Sequence, residues 1–138
     1  GRNVDYAVAM EGSLKLKEIS YIHSEAYAGG ELKHGTISLI EPGTLVVTLA
    51  TCDRLVEKIK SNAEEVKARG AYLLAVAVAG DDRLAKVADA VFYVPKTEAL
   101  LQPSLAVIPL QLFAYYVASQ KGCSIDQPKN LAKSVTVE

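Results

Sequence analysis

The fold is indicated first by residues 72–79, which have the sequence YLLAVAVA. The run is apolar throughout, and the turn sequence Gly80-Asp81-Asp82 follows it directly. An apolar run of this length without alternation is typical of a strand that is buried on both faces of a parallel sheet. Residues 45–50, LVVTLA, form a second such run, and residues 90–94 form a third. The sequence therefore predicts parallel strands covered by helices on both sides.

Helical segments are predicted between and around these strands, at residues 6 to about 22, 54–69, 83–88 and 103–121. Asp5 is expected to cap the first helix, and Thr48, Thr51 and Asp53 are also interpreted as capping residues. Gly70 fits the left-handed position after the last turn of the second long helix. Pro109 is expected to kink or split the last helix.

The alternation of strands and helices predicts an α/β fold, a three-layer sandwich with a parallel sheet joined by right-handed crossovers. Only three strands are visible in the 138 residues, which is few for such a sheet. The first helix also begins without the strand that normally precedes it. We therefore expect the first strand of the sheet to lie in sequence upstream of residue 1.

The composition limits the classes of function. The chain has 138 residues, half of them hydrophobic, and a net charge of −1, so we expect one globular domain that binds neither nucleic acid nor a membrane. Cys52 and Cys123 have no metal-ligand spacing and suit a reducing compartment. We predict a cytoplasmic protein with no metal and no cofactor.

Residues 11–35 contain the first candidate site. Glu11, Lys15 and Glu18 fall within roughly a 60° arc of the predicted helix, because helical residues advance by about 100° each. Two interpretations are open: a salt-bridge ladder on a solvated face, or an acid/base pair at the border of a buried surface. The second interpretation would suit proton transfer on a small molecule.

Histidine and lysine side chains supply the remaining candidates. His34 is either an ordinary loop histidine or a catalytic group, and His23 is predicted to be structural, at the end of the first helix. Neither has Cys or Asp at metal-ligand spacing. Lys133, in the tail, is either a solvated lysine or a desolvated one that forms a Schiff base.

Two motifs then point to a known family. Residues 15–22, KLKEISYI, followed by Glu25-Ala26 and by residues 30–35, GELKHG, closely resemble a motif of the glucosamine-6-phosphate synthases, also called glutamine–fructose-6-phosphate aminotransferases. Residues 126–138, DQPKNLAKSVTVE, are similar to the C-terminus of the same family. The first motif is partly shared by other sugar isomerase (SIS) domains, whereas the tail is more specific. The resemblance covers the whole chain.

The resemblance implies a place in a longer enzyme. The family makes glucosamine 6-phosphate from fructose 6-phosphate and glutamine, using a glutaminase domain and two SIS domains in tandem. Residues 1–121 match the second SIS domain, truncated at its N-terminus, and residues 122–138 match a tail that closes over the active site. The implied partners are a second copy in a homodimer and the glutaminase and first SIS domains of the same polypeptide.

The resemblance also implies catalytic roles. Lys133 resembles the lysine that forms a Schiff base with C2 of the open-chain sugar, and Glu18 the base that moves a proton between C1 and C2. Lys15 resembles the lysine that assists this base, and His34 the histidine that helps open the ring in the neighbouring subunit's site. The implied substrate-binding residues are Glu11 and Ala132.

One position departs from the family pattern. Thr36 follows Lys33-His34-Gly35 where the family commonly has proline, although the histidine itself is in place. Because the phosphate-binding loop belongs to the first SIS domain, we expect the 138-residue chain to have very weak or no activity by itself. Two alternatives stay open, namely a sugar-phosphate-binding regulator and a phosphosugar isomerase or deglycase without glutamine chemistry.

Overall fold

A computed structural model describes residues 1–129. Three parallel strands form one sheet in the order β1-β2-β3, and the strand partners include Leu45 with Tyr72 and Leu74 with Ala90. The helices and strands are α1 (Val4–Ser20), β1 (Leu45–Ala50), α2 (Val56–Lys67), β2 (Tyr72–Val78), β3 (Ala90–Val94) and α3 (Gln102–Gln120). Three short 3₁₀ turns cover Leu32–His34, Thr36–Leu39 and Asp53–Leu55.

Helices cover both faces of the sheet. On one face, Ile59 and Val66 of α2 pack with Leu73 of β2 in one buried cluster. On the other face, Val8 of α1 and Leu110 of α3 pack with strand residues in a second cluster. Burying each such side chain stabilises the fold by about 1.5–3 kcal/mol. The predicted three-layer α/β sandwich with a parallel sheet is confirmed.

The two helices on the second face approach each other closely. α1 packs against α3, and Gly12 of α1 faces Leu110 of α3. A Cβ atom at position 12 would lie 2.5 Å from Leu110 Cδ1, closer than real Cβ atoms come, and 3.0 Å from Leu110 Cβ, which is a tight contact. The absent side chain of Gly12 therefore sets the spacing of α1 and α3.

The strand predictions are confirmed almost to the residue, whereas the predicted helix at residues 83–88 is wrong. Residues 83–88 form hydrogen-bonded turns, with the N–H of Ala85 donating to the Asp82 carbonyl, and no helix. Six residues give too few hydrogen bonds to offset the cost of helix nucleation. Pro109 lies inside α3 without splitting it. Ala106 and Leu110, which flank the proline, are both buried, and their packing outweighs the lost hydrogen bond.

The predicted caps are also wrong, for a reason that matters for the site. Asn3 occupies the N-cap position of α1, whereas Asp5 is only 1% exposed inside the first turn. The Asp5 carboxylate accepts hydrogen bonds from the Thr51 N–H (2.9 Å), the Thr51 hydroxyl (2.5 Å) and the Cys52 N–H (3.3 Å). These bonds tie the beginning of α1 to the carboxyl end of β1.

Thr48 and Asp53, which we also interpreted as caps, do not cap a helix either. Thr48 lies within β1, and the Asp53 carboxylate accepts a hydrogen bond from Arg83 at 2.5 Å. The 3₁₀ turn at Asp53–Leu55 has no side-chain cap. Across residues 1–129, no helix is long and apolar enough to cross a membrane.

Candidate functional site

The charged stripe on α1 is an ion-paired cluster. Lys15 Nζ lies 2.8 Å from Glu18 Oε2 and 3.3 Å from Glu11 Oε1. The side chains of Lys15 and Glu18 are 33% and 24% exposed, so both border the protein surface. The hydrogen bond with Glu18 raises the pKa of Lys15, and the bond with Glu11 adds to this, against a smaller opposing effect of burial. Lys15 therefore stays charged beside the two carboxylates.

The helix that carries this stripe ends in an unusual conformation. Tyr21, directly after α1, is left-handed with φ 58° and ψ 22°, which is uncommon for a residue with a bulky side chain. The preceding Ser20 is buried and donates its hydroxyl to the Leu16 carbonyl at 2.6 Å. The chain therefore turns sharply only three residues beyond Glu18.

The beginning of the C-terminal tail returns to this turn. Lys121 Nζ, after α3, donates to the Ser20 carbonyl at 2.7 Å. The Lys129 N–H donates to the Tyr21 hydroxyl at 2.6 Å, and Lys129 Nζ lies 6.0 Å from the centre of the Tyr21 ring. Sequence reasoning missed Tyr21, because nothing local indicates that a residue 108 positions away binds its hydroxyl.

Ala132 and Lys133 lie outside the described residues. The last described residue, Lys129, is four positions before Lys133 and is in contact with the end of α1. The structure thus brings Glu11, Lys15 and Glu18 together on one face of α1, and it brings the beginning of the tail to the end of that helix.

His34 lies apart from the stripe. It ends the 3₁₀ turn Leu32–His34, and Gly35 follows with φ +127°. Its side chain is 75% exposed, and within the described part of the chain its ion-pair neighbour is Glu31 of the same loop, at 3.9 Å. The geometry presents the imidazole outward rather than toward Glu18.

The prediction for His23 is wrong in one respect. α1 ends at Ser20, so His23 lies beyond the helix instead of at its C-terminus. The His23 side chain is exposed, with its Nε2 3.7 Å from Glu25 Oε1. Within residues 1–129, no hydrogen bond of the His23 side chain supports a structural role.

Two cavities flank the first strand. A polar cleft of about 1150 Å³ lies at the carboxyl ends of β1 and β2, and its wall includes Asn3, Thr51, Gly80 and Arg83. The Arg83 guanidinium there is held by Asp81 at 2.6 Å as well as by Asp53. Four further basic side chains line the cleft: Arg54, Lys60, Lys86 and Lys96. The carboxyl ends of parallel strands are the usual place for a ligand in such a sheet.

The second cavity, of about 620 Å³, is mostly apolar and lies between β1 and residues 22–29. Glu11, Lys15 and Glu18 line neither cavity. The charged stripe therefore borders solvent and lies outside both cavities. Within residues 1–129 there is no cluster of three or more His, Cys, Asp or Glu side chains that could hold a metal ion.

This fold and this site define a class of protein. A family model described as the SIS domain matches residues 1–120. The chain belongs to the SIS domain family.

The comparison with curated proteins is more specific. The glutamine–fructose-6-phosphate aminotransferase (isomerizing) of Caldanaerobacter subterraneus subsp. tengcongensis is 64% identical over all 138 residues, and that of Clostridium tetani is 60% identical. The predicted resemblance to this family is thereby confirmed. The chain spans only 23% of the length of each of these two relatives.

Solved structures agree with this. The C-terminal domain of the glucosamine-fructose-6-phosphate aminotransferase from Francisella tularensis matches 92% of the chain with a TM-score of 0.84 and 40% identity, over 36% of its own length. A glucosamine-6-phosphate deaminase from Thermotoga maritima matches 94% of the chain with a TM-score of 0.68 and 30% identity, over 37% of its length.

Proposed function

We propose that this chain is the C-terminal isomerase part of an enzyme that converts fructose 6-phosphate and glutamine into glucosamine 6-phosphate and glutamate. The relatives that match the whole chain at 60–64% identity bear the name of this enzyme, which supports the proposal. We also propose that the chain acts in cytoplasmic amino-sugar synthesis, upstream of UDP-N-acetylglucosamine.

One observation carries the proposal. Lys121, the residue before the tail, binds Ser20 at the end of α1, and the tail residue Lys129 binds Tyr21. A tail on this course approaches the helix that bears Glu18 just before it reaches Lys133. The electrophile-forming lysine and the proton-moving carboxylate then work on adjacent carbons of one sugar.

The proposed chemistry uses each group once. The Lys133 amine condenses with the C2 carbonyl of the open-chain sugar and releases water, which leaves a cationic imine. Ammonia released from glutamine then displaces the Lys133 amine by transimination, which frees the lysine and leaves a cationic imine with ammonia nitrogen at C2. This cation acidifies the C1–H bond, and the Glu18 carboxylate takes that proton and returns it at C2, which leaves the C1 aldehyde and the C2 amine of glucosamine 6-phosphate. Lys15, held at 2.8 Å from Glu18, keeps the carboxylate oriented and supplies positive charge near the C1 oxygen. Glu11 and Ala132 contact the substrate.

His34 is assigned to the site of the partner subunit in a homodimer. Its exposure and its position outside the charged stripe suit a group that acts across an interface. The phosphate of the sugar is held by the first SIS domain, which is why we expect the 138-residue chain alone to be inactive or nearly so.

The test is a pair of carboxylate variants in the longer polypeptide that carries this chain. Glu18→Gln is expected to lower kcat by about 10²–10⁴-fold, the usual contribution of a general base. Glu64→Gln, which makes the same change at an exposed position of α2, is the matched control and should leave kcat unchanged. An active Glu18→Gln enzyme would refute the assignment.

Borohydride trapping tests the Schiff base separately. Reduction in the presence of fructose 6-phosphate should attach the sugar to Lys133, and mass spectrometry of the digest locates the adduct. An adduct at another lysine, or none, contradicts the proposed mechanism.

A second candidate function is a phosphosugar isomerase or deglycase without glutamine chemistry. The similarity to the Thermotoga maritima deaminase structure favours it, since that protein shares the fold and 30% of the aligned sequence. Glutamine hydrolysis by the longer polypeptide separates the two candidates, because only the synthase has a glutaminase domain. A sugar-phosphate-binding regulator would bind fructose 6-phosphate without trapping at Lys133.

A further inference from the structure

An ion pair joins the His34 loop, residues 31–35, to helix α2. Lys33 Nζ lies 2.8 Å from Oε1 of Glu65, which belongs to the last turn of α2. The Glu65 side chain is 20% exposed, whereas that of Lys33 is 67% exposed. Within residues 1–129, the second carboxylate oxygen of Glu65, Oε2, is buried and accepts no hydrogen bond. The pair therefore holds a mostly buried carboxylate against the residue directly before His34.

Stability does not explain this arrangement. An ion pair whose lysine lies mostly in solvent contributes little to the free energy of unfolding. A buried carboxylate oxygen without a donor has lost its hydration, which lowers that free energy. Buried polar atoms that are left unsatisfied in this way are uncommon in folded proteins and require another explanation. The position of Lys33, next to His34, supplies one.

Apolar contacts on both sides of His34 attach its loop to the layer of α2. Leu32, before it, packs against the buried cluster that α2 forms with the sheet, and Ile37, after it, is buried in the same cluster. Gly35 turns the chain between them with φ +127°, a conformation that favours glycine. The ion pair of Lys33 adds a polar contact directly before His34. Together these contacts fix the loop on α2 and leave the imidazole exposed.

His34 depends on this loop for its position. Its side chain is 75% exposed, and among residues 1–129 its ion-pair neighbour is Glu31 of the same loop, at 3.9 Å. A catalytic group has to be held within about 0.5 Å of its productive position by the segment that carries it. Because the imidazole is exposed, the loop backbone has to supply that precision, and Lys33 ties the backbone to α2.

We propose that Glu65 is a positioning residue for the reaction: through its ion pair with Lys33, it holds the His34 imidazole in place for the partner subunit's site. Glu65 itself touches no reacting atom. The inference rests on the proposed function, because it takes His34 as a catalytic group of the neighbouring site. It goes beyond that function in giving a role to a carboxylate that lies on the opposite face of the sheet from Glu18.

The first test is kinetic and uses the longer polypeptide. Glu65→Gln should lower kcat about 10-fold and change KM for fructose 6-phosphate less than about twofold, because a displaced catalytic group loses part of its effect on turnover. Lys33→Met should cause the same loss, and the double variant should be no worse than either single variant, since both break one contact. The matched control is Glu64→Gln at the exposed neighbouring position, which should leave kcat unchanged. An undiminished kcat in Glu65→Gln, or additive losses in the double variant, would overturn the proposal.

Mixed dimers show in which subunit's site Glu65 acts. A Glu65→Gln subunit paired with a Glu18→Gln subunit has one site with an intact base and a correctly held His34, so turnover of the mixture should recover to about a quarter of the wild-type value. A mixture with His34→Ala should stay below Glu65→Gln alone, because both variants then impair the same group. Recovery with His34→Ala but not with Glu18→Gln would mean that Glu65 acts in its own subunit's site, which would overturn the proposal.

Residue-resolved hydrogen exchange tests the positioning without turnover. The His34 N–H donates to the Glu31 carbonyl at 3.0 Å, so its exchange reports how firmly the loop is held. In Glu65→Gln this amide should exchange at least about 10-fold faster than in Glu64→Gln, while the amides of β2 keep their rates. Unchanged exchange at His34 together with a lower kcat would show that Glu65 acts in another way.

Failure of this inference and failure of the proposed function give different results. If Glu18→Gln complements His34→Ala but not Glu65→Gln, only the role of Glu65 is wrong. If borohydride attaches no sugar to Lys133, the proposed function is wrong, whereas the exchange rate at His34 still reports whether Glu65 holds the loop.

Discussion

The two ends of α1 are held by different kinds of contact. At the N-terminal end, the Asp5 carboxylate is buried and bound to three groups at the end of β1. At the C-terminal end, Lys15 and Glu18 form an ion pair at the surface, and the tail binds the turn that follows. Buried charged hydrogen bonds stabilise folds strongly, whereas exposed ion pairs contribute little.

We therefore expect the two ends of α1 to have different roles, one in stability and the other in catalysis. Substitutions at the Asp5 end should reduce the free energy of unfolding, and substitutions at the Glu18 end should reduce turnover while the fold persists. Four predictions test this division, and the first also tests the assignment of His34 to the partner site.

Mixed dimers should give the largest effect. His34→Ala and Glu18→Gln are each expected to lower kcat of the longer enzyme by about 100-fold or more. If His34 acts in the partner's site, mixing and reassociating the two variants creates heterodimers with one intact site. Turnover then recovers to about a quarter of the wild-type value, since half of the dimers are mixed and one site in two is complete.

The control for this mixture is each variant subjected alone to the same dissociation and reassociation, which should recover nothing. If the mixture also stays inactive although heterodimers form by native mass spectrometry, His34 belongs to its own subunit's site. The assignment of the exposed His34 loop to the partner subunit's site would then be wrong.

Asp5→Asn should destabilise the chain by about 2–3 kcal/mol, because the new amide turns a donor toward backbone N–H groups that then lack an acceptor. Urea unfolding followed by circular dichroism measures this. Asp126→Asn, at an exposed position, is the control and should change the unfolding free energy by less than about 0.5 kcal/mol. Equal urea midpoints for the two variants would show that the hydrogen bonds of Asp5 with Thr51 and Cys52 do not stabilise the chain.

Lys15→Met should lower kcat by about tenfold with little change in stability, since it removes a charge beside Glu18 at a partly exposed position. Lys17→Met removes an exposed lysine of the same helix that forms no ion pair within residues 1–129, and kcat should be unaffected. A loss of stability as large as that of Asp5→Asn would contradict the division of α1.

The last prediction concerns the Gly1 amine at the anchored end. Its pKa is about 6 in the folded chain and 8.0 in the unfolded one, so the unfolded state binds more protons between these values. The free energy of unfolding of the 138-residue chain should therefore rise by about 2 kcal/mol from pH 6 to pH 8 on account of this group. Acetylation of Gly1 should remove that contribution, and an unchanged slope would count against burial of the amine.

Much of the fold could be predicted from the sequence because it depends on local patterns. The apolar runs at residues 45–50 and 90–94 became strands with those bounds, and Gly70 has the predicted positive φ of 88°. Asp5 was assigned wrongly because its partners are 46 and 47 residues away, and a local capping rule contains no information about them.

In the candidate site, too, local contacts could be predicted from the sequence and long-range contacts could not. The helical spacing of Glu11, Lys15 and Glu18 was enough to predict that they meet. The contact of the tail with Tyr21 was not predictable, because it depends on how α3 packs against α1 and on a left-handed residue at the helix end. The roles of Ala132 and Lys133 still rest on the family resemblance.

Gly12 also affects the position of the tail, because it lies where α1 contacts α3. α1 carries Glu18 and α3 leads into the tail, so the separation of the two helix axes affects how far the Glu18 carboxylate lies from the beginning of the tail. A methyl group at position 12 would displace Leu110 and spread the helices without touching any reacting atom. The distance between Glu18 and the beginning of the tail thus depends on a residue without a side chain, six positions before Glu18.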